Sequence, residues 1–216
     1  SVDSQVLYPP VDVEKFKAGK KKKMILNVGR FFVGGHSKKQ HILVQAFKEM
    51  IDKRFLSRHW ELHLVGGVAP GEEHAKYFET IQKMAEGYPV FFHIAADFNK
   101  LKMLYAQAAL YWHATGFGES VHEPIMFEHF GIAPVEAMAA GAVPIVFGGG
   151  GLTESVGVET GLVWESQDEL TRITRSLIND RKRLSTLSGI MRTKAKRFSR
   201  NHFSKDLLSY VNKLSE

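Results

Sequence analysis

Residues 24–39, Met24-Ile-Leu-Asn-Val-Gly-Arg-Phe-Phe-Val-Gly-Gly-His-Ser-Lys-Lys39, decide the fold. Met24–Gly29 is a short apolar run that ends in glycine, which predicts a buried strand. A loop containing Gly34 and Gly35 then leads to Lys38, where helical spacing begins. The order strand, glycine loop, helix is typical of the ligand-binding end of an α/β domain.

The same alternation continues along the chain. Five further apolar or aromatic runs bounded by turn residues predict strands at Glu61–Val65, Val90–Ile94, Leu110–His113, Val143–Phe147 and Thr160–Trp164. Helical spacing lies between the strands at Lys38–Phe55, Glu72–Glu86, Asn99–Ala108, Ile132–Ala140 and, more briefly, Thr153–Val156, and it continues from Gln167 onward. We therefore predict an α/β fold: a doubly wound parallel sheet of about six strands with helices on both faces.

Length and composition limit the possibilities. A chain of 216 residues, 44% of them hydrophobic, can bury one substantial core. The formal net charge of +6 favours an acidic partner without choosing among them. Because the chain has no cysteine, disulfides and thiolate zinc sites are excluded, and we expect a cytoplasmic setting. No apolar run approaches the roughly 18 to 20 residues that span a bilayer.

Two terminal segments are set apart from the predicted domain. Residues 1–22 contain the extended Tyr8-Pro-Pro sequence and a lysine run, and we interpret them as a linker or interdomain segment. Without interleaved aromatic residues, the lysines indicate a solvated turn, and nucleic acid is not an expected partner. Residues 23–200 form the predicted domain, and residues 201–216 form a last helix.

The stretch Glu128-His-Phe-Gly-Ile-Ala-Pro-Val-Glu136 places two carboxylates around a predicted helix start. Gly131 interrupts any helix that would carry both, and Pro134 fits the first turn, so we place Glu136 in that turn. The start of this helix leaves unpaired N–H groups near Gly131 and Ile132 at the positive end of the helix dipole. Such a position favours anions, phosphates especially.

Cationic groups follow the first predicted strand. Gly29 permits close backbone approach, and Arg30 and Lys38 are suited to phosphate oxygens. Taken alone, this segment is equally consistent with a basic surface loop carrying an arginine–carboxylate pair.

Further candidates lie in a glycine run and a histidine. Gly149 and Gly150 follow a predicted strand and would let a phosphate or sugar approach the backbone, although a flexible turn is the alternative. His129 would orient the neighbouring carboxylate or contact a ligand, with apolar packing of its ring as the alternative.

Several familiar sites are absent from the sequence. Neither Gly-x-Gly-x-x-Gly after a strand nor Gly-x-x-x-x-Gly-Lys-[Ser/Thr] occurs, which argues against a dehydrogenase or a P-loop ATPase. The ten histidines show no helical metal-binding spacing, so no metal and no cofactor is expected.

These features resemble the carboxyl-terminal, donor-binding domain of retaining GT-B glycosyltransferases of family 4, or group 1, over nearly the whole chain. The resemblance rests on Asn27-Val-Gly-Arg30, Lys38 before Leu43-Val-Gln-Ala-Phe47, Leu64-Val-Gly-Gly67, the glutamate pair followed by Ala-Met-Ala-Ala-Gly141, and Gly149-Gly-Gly-Leu-Thr-Glu154. It implies a Rossmann-like domain that is one half of a GT-B fold. Glu-His-Phe-Gly-Ile is most similar to mannosyltransferases that use GDP-mannose, with a UDP-sugar as the next candidate donor.

The resemblance also implies roles for individual residues. Arg30 and Lys38 neutralise the donor diphosphate, Glu136 binds the ribose hydroxyls, and Glu128 contacts the donor sugar. Arg30, Lys38 and Glu128 are thus the expected catalytic set for transfer of a hexose with retention and without a metal. Departure of the nucleoside diphosphate builds negative charge, which fixed cations, amides and a helix start stabilise.

Two features depart from the family pattern. Lys38-Lys39 stands where the family has a lysine followed by glycine, which leaves open which lysine reaches phosphate. The family also places an acceptor-binding domain before this one. We therefore expect the chain to be the donor-binding half, able to bind a nucleotide sugar but not to transfer it.

The acceptor, a glycan or lipid-linked sugar, is expected to bind the absent half. Residues 201–216 would cross back to it, and self-association through their apolar face is predicted. Peripheral membrane contact of the full-length enzyme is left open.

Two other functions share part of this pattern. A non-catalytic nucleotide- or polyanion-binding module would keep the fold and the basic face, but its affinity would fall steeply with salt and tolerate loss of Glu136. A GT-B sugar-nucleotide epimerase would share the diphosphate-binding residues, though less clearly the glutamate pair.

Overall fold

The computed structural model of the protein describes residue 4 and residues 6–214. The strands are β1 (Lys22–Val28), β2 (Glu61–Val65), β3 (Val90–His93), β4 (Ala108–His113), β5 (Val143–Phe147) and β6 (Val163–Trp164). The α-helices are α1 (Gln40–Asp52), α2 (Glu72–Ala85), α3 (Phe98–Gln107), α4 (Ile132–Ala139), α5 (Gln167–Asn179), α6 (Arg181–Ala195) and α7 (Arg200–Leu214). Short 3-10 turns occur at Val13–Lys15, Pro124–Met126, Val158–Thr160 and Lys196–Phe198, and Thr153–Gly157 is a π-helical turn.

The six strands form one parallel sheet in the order β3-β2-β1-β4-β5-β6. Helices α1, α2 and α5 pack on one face, α3 and α4 on the other, and α6 packs against α4. The predicted doubly wound sheet is thus confirmed. Because the strand order reverses between β1 and β4, the loops that leave their carboxyl ends diverge and open a crevice.

Two hydrophobic clusters hold the layers together. The larger contains the fully buried Trp112 and Trp164, and the smaller contains Leu26, Tyr105 and Tyr111. Full burial of a large apolar side chain contributes about 1.5–3 kcal/mol. The strands that carry the crevice are therefore fixed from both faces.

Helix α1 is shorter than the predicted Lys38–Phe55. Lys39 has a φ of +50° in the left-handed region, so the helix begins only at Gln40. At the other end, Arg54 has a φ of +56° and turns the chain away after Asp52. Both turns use non-glycine residues with positive φ, which the spacing of apolar residues does not reveal.

Strand β6 is also shorter than predicted. Thr160 ends a 3-10 turn and Gly161 has a φ of +68°, so only Val163–Trp164 pairs with β5. The strand still covers the end of β5, where Phe147 is in register with Trp164.

The segment predicted as an interdomain linker packs onto the domain. Val11 donates its N–H to the carbonyl oxygen of Phe198 at 2.8 Å, and Val11, Val13 and Phe16 are buried in the two clusters. Strand β1 begins at Lys22, one residue before the predicted start of the domain. Because the partner Phe198 lies far along the chain, no local pattern predicts this packing, and residues 1–3 and 5 lie outside the described part. A role for the segment between two domains stays a prediction.

Helix α7 forms the last described element, and residues 215–216 of the predicted last helix lie outside the described range. It buries none of its described residues, and Leu208 and Leu214 are 62% and 70% exposed. The helix therefore leaves several of its leucines in contact with solvent. None of the helices in the described part of the chain is both long and apolar enough to cross a membrane.

Candidate functional site

A pocket of about 470 Å³ lies at the carboxyl ends of β1 and β4, where the strand order reverses. Gly29 and Arg30 follow β1, and His113 ends β4. Eight of the ten predicted site residues line this pocket: Gly29, Arg30, Lys38, Glu128, His129, Gly131, Ile132 and Glu136. The structure thus brings the two halves of the sequence pattern, about 100 residues apart, to one place.

Lys38 is the lysine that faces the pocket. Its Nζ lies 2.6 Å from Oε2 of Glu128, whereas Lys39 forms an ion pair with Glu119. A Cβ atom on Gly29 would lie 2.6 Å from Cγ of Lys38. Glycine at position 29 therefore lets the lysine stem cross the backbone and deliver its ammonium group to the pocket.

Glu128 is held by two donors on a single oxygen. Oε2 accepts from Lys38 and from Nε2 of His113, the latter at 3.2 Å. Burial by itself raises the pKa of Glu128, but the hydrogen bond from His113, together with the charge and hydrogen bond of Lys38, outweighs burial and lowers the pKa to about 2. The side chain is ionised, and its Oε1 has no hydrogen-bond partner within the described chain.

The start of α4 supplies backbone donors. Gly131 has a φ of +82°, and a Cβ atom there would lie 2.4 Å from Cδ2 of Leu152, so glycine is required for both reasons. The N–H groups of Ile132 and Ala133 have no partner inside the helix, and Pro134 has no N–H to offer. The helix start therefore presents two donors and the positive end of its dipole to an anion.

Glu136 lies at the start of the second turn of α4 rather than in the predicted first turn. It is the fifth residue of the helix, which begins at Ile132 as predicted. Burial raises its pKa, an effect opposed by the hydroxyl of Tyr105, which donates to Oε2 at 2.9 Å. The carboxylate still reaches the pocket, with one oxygen fixed by the tyrosine.

Arg30 and His129 lie on the rim. Arg30 is exposed, stands 5.5 Å from the centre of the Phe32 ring, and has no ion-pair partner in the part of the chain that the structure describes. The ring of His129 packs edge-on against that of His36, with centroids 4.6 Å apart. The guanidinium is thus free to meet a ligand, whereas the imidazole is already held by aromatic packing.

Gly149 and Gly150 line a neighbouring cavity of about 430 Å³ rather than the main pocket. A Cβ atom on Gly149 would lie 2.3 Å from Cδ1 of Phe127, and one on Gly150 would lie 2.2 Å from the carbonyl oxygen of Glu128. The space left by these glycines is therefore filled by the protein itself. The sequence predicts that these glycines let a ligand approach the backbone, whereas in the structure they let the segment that carries Glu128 approach it.

The loops on either side of the pocket touch each other. Besides the ion pair between Lys39 and Glu119, a Cβ atom on Gly35 would lie 3.6 Å from Sδ of Met126. The loop at 31–39 and the loop at 114–127 are thereby joined beside the site.

Two residues of the site were missed from the sequence. His113 was counted only as the end of a strand, and Tyr105 only as part of a helix. The position of His113 at the carboxyl end of a strand was a usable signal, because ligands bind at that edge of a doubly wound sheet. The contact between Tyr105 and Glu136 joins two different helices and has no local signal.

A larger cavity of about 800 Å³ lies elsewhere, and Lys17, Arg192 and Lys196 are among its lining residues. It adjoins Ala139 at the end of α4, whereas the site described above adjoins the start of that helix. It contains none of the predicted site residues, so we do not assign the function to it.

Comparison with known proteins identifies the family of this chain. Residues 10–198 match the family described as glycosyl transferases group 1. The chain is 26% identical over 226 residues to the GDP-Man:Man(3)GlcNAc(2)-PP-Dol alpha-1,2-mannosyltransferase of Dictyostelium discoideum, covering 98% of this chain and 43% of that protein. It is 26% identical over 237 residues to the human alpha-1,3/1,6-mannosyltransferase ALG2, covering 99% of this chain and 53% of that protein.

Solved structures share the fold. Sucrose-phosphate synthase from Thermosynechococcus elongatus superimposes with a TM-score of 0.77 at 21% identity, covering 99% of this chain and 53% of that one. Anabaena HepE in complex with UDP and glucose gives a TM-score of 0.75 at 20% identity, covering 96% and 56%. The chain thus spans about half the length of the curated relatives and solved structures that it matches.

Proposed function

The chain belongs to the group 1 glycosyl transferases, and we propose that it binds the nucleotide-diphosphate sugar donor of a retaining hexosyltransferase. The observation that carries the proposal is the pocket between β1 and β4, which combines cations, a helix start and two carboxylates. Two cationic side chains and two backbone donors match the oxygens of a diphosphate. A carboxylate matches a pair of sugar hydroxyls.

The roles that we propose within the pocket are those that the family resemblance implies, and the positions of the residues support them. Lys38, Arg30 and the start of α4 bind the diphosphate, and Glu136 accepts hydrogen bonds from the ribose hydroxyls. Glu128, on the other side of Lys38, contacts the donor sugar through Oε1. As the bond between sugar and phosphate breaks, negative charge grows on the leaving diphosphate, and these fixed donors stabilise it. We propose that no metal ion is needed for this step.

GDP-mannose is the donor we favour, with UDP-sugars next. The names of curated relatives from Dictyostelium discoideum and Homo sapiens specify a GDP-Man donor, which supports the first choice. The complex of Anabaena HepE with UDP and glucose supports the second only as a property of a shared fold.

We propose that acceptor binding and transfer need parts of the enzyme beyond this chain. The relatives are about twice as long, and the apolar face of α7 offers a surface for such a part. Their names include a dolichol-linked acceptor, which supports a glycan or lipid-linked acceptor and contact of the whole enzyme with a membrane surface.

A thermal-shift screen of GDP-mannose, UDP-glucose and ADP-glucose tests the proposed function. A ligand that binds only the folded state raises the melting temperature, by an amount that grows with concentration over Kd. We expect GDP-mannose to give the largest increase. If none of the three shifts the transition at millimolar concentration, the donor-binding function is wrong.

A further inference from the structure

His113 is a buried histidine with an unusual set of partners. Its Nε2 lies 3.2 Å from both Oε2 of Glu128 and Oγ1 of Thr115. Its Nδ1 is buried and has no hydrogen-bond partner among the described residues. Because a carboxylate can only accept, Nε2 carries a hydrogen, and because burial lowers the pKa of His113, Nδ1 keeps a free lone pair near neutral pH.

Two anionic groups compete for the ammonium group of Lys38. Its ammonium group lies 2.6 Å from Oε2 of Glu128, and in the proposed function it binds the donor diphosphate. Each bond that Lys38 gives to phosphate weakens its pair with Glu128, because one positive charge is then shared between two anions. The carboxylate, whose side chain is only 17% exposed, is left beside an arriving dianion.

We infer that His113 is a positioning residue that takes over Glu128 from Lys38 when a nucleotide sugar binds, gaining a proton as it does so. The inference rests on the proposed function. One proton moves from solvent to Nδ1 of His113, while Nε2 keeps its hydrogen bond to Glu128. The ion pair between Lys38 and Glu128 is thereby exchanged for one between His113 and Glu128, and the carboxylate stays in place for the sugar.

The charges around His113 favour its gain of a proton when the ligand binds. Burial lowers the pKa of His113 most, Glu128 raises it, and Lys38 lowers it. Burial changes little on binding, whereas the ammonium turns toward phosphate and two negative charges arrive, so both electrostatic effects then favour the imidazolium. The other polar groups facing the pair are the hydroxyls of Thr115 and Tyr111 and, further away, Glu136.

The experiment is calorimetric titration with GDP-mannose at pH 7 in three buffers of different ionisation enthalpy. The diphosphate of a nucleotide sugar carries no proton near neutral pH, so the dependence of heat on buffer counts protons taken up by the protein. We expect the wild-type chain to take up a substantial fraction of one proton per bound ligand, and His113→Gln to take up almost none. A purely structural role for His113 would change affinity without changing this count.

Two further variants make the result specific. Glu128→Gln removes the carboxylate partner and should also lower the uptake, which keeps the inference testable if His113→Gln does not fold. His122→Asn removes an exposed histidine outside the pocket and should keep the wild-type count.

The outcomes separate the two proposals. Binding without proton uptake, or uptake that persists in His113→Gln, overturns the role of His113 but leaves donor binding intact. Absence of binding for GDP-mannose and UDP-glucose alike overturns the proposed function, and with it the role of His113.

Discussion

Lys38 and Glu128 form a 2.6 Å ion pair across the pocket, joining the loop before α1 to the segment before α4. The same lysine is the cation that we assign to the donor diphosphate. Binding of the donor would therefore alter the ion pair of Glu128, because both interactions use the ammonium group of Lys38.

The neighbouring lysines provide a matched test of the diphosphate contact. We expect Lys38→Met to weaken GDP-mannose binding about tenfold or more, because a hydrogen bond to a charged group contributes about 1.5–3 kcal/mol. Lys39→Met, which breaks only the pair with Glu119, should change Kd less than about threefold. Equal losses in calorimetry would show that Lys38 has no special role.

The ion pair also predicts a dependence of stability on pH. Because the folded-state pKa of Glu128 is lowered to about 2, its contribution is present above the ordinary value near 4.5 and is lost as the pH falls toward 2. The shift corresponds to at most about 3 kcal/mol. Urea unfolding between pH 6 and pH 2.5 should show the free-energy difference between wild type and Glu128→Gln shrinking across this window. A difference that stays constant would contradict the assigned pKa.

The glycine run predicts a packing effect. A Cβ atom at Gly151 would lie 1.9 Å from the carbonyl oxygen of His129, so Gly151→Ala must displace the segment that carries Glu128. We expect a loss of about 1–3 kcal/mol in unfolding free energy, together with weaker nucleotide-sugar binding. As a control, Gly189→Ala in α6 meets no atom within 4 Å and should stabilise the chain by about 0.5–1 kcal/mol.

Substitution of Glu136 distinguishes a nucleotide-binding site from a general polyanion-binding site. Glu136→Gln should weaken GDP binding about tenfold through loss of charged hydrogen bonds to the ribose, yet leave the affinity for inorganic pyrophosphate nearly unchanged. For a polyanion module, both affinities would survive the substitution and fall steeply with salt. Competition titrations at two salt concentrations distinguish these results.

The exposed side of α7 predicts self-association. Leu208 and Leu214 are large apolar residues with most of their surface in solvent, and such patches mark contact surfaces. Sedimentation velocity at increasing concentration should show dimers of the wild-type chain, and Leu208→Glu with Leu214→Glu should abolish them. A monomeric wild type at high micromolar concentration would contradict the prediction.

The sequence was sufficient for the order of the elements, because each strand is a short apolar run and each crossover has helical spacing. It did not disclose contacts between distant segments. The bridge from Val11 to Ser199 joins the two ends of the domain, and no local pattern encodes it. Element ends were missed for a related reason, since Lys39 adopts positive φ although it is not glycine.

The sequence predicted which residues line the pocket better than it predicted the contacts between their side chains. Charge and spacing identified Lys38, Glu128 and Glu136, because phosphate and hydroxyl recognition need those groups near a helix start. Which side chain each of them contacts depends on three-dimensional packing. His113 was missed because a histidine that ends an apolar strand resembles a core residue, although its place at the carboxyl end of the strand was a usable signal.

The ion pair between Lys39 and Glu119 has a dynamic consequence. Since it ties the loop at 31–39 to the loop at 114–127, neither can move away from the pocket without breaking it or carrying the other along. We therefore predict that the two loops open together, in which case their amide hydrogens should exchange with a common opening free energy rather than two independent ones. Entry and exit of a ligand would thus be governed by a single collective motion, set by a contact that never touches the ligand itself.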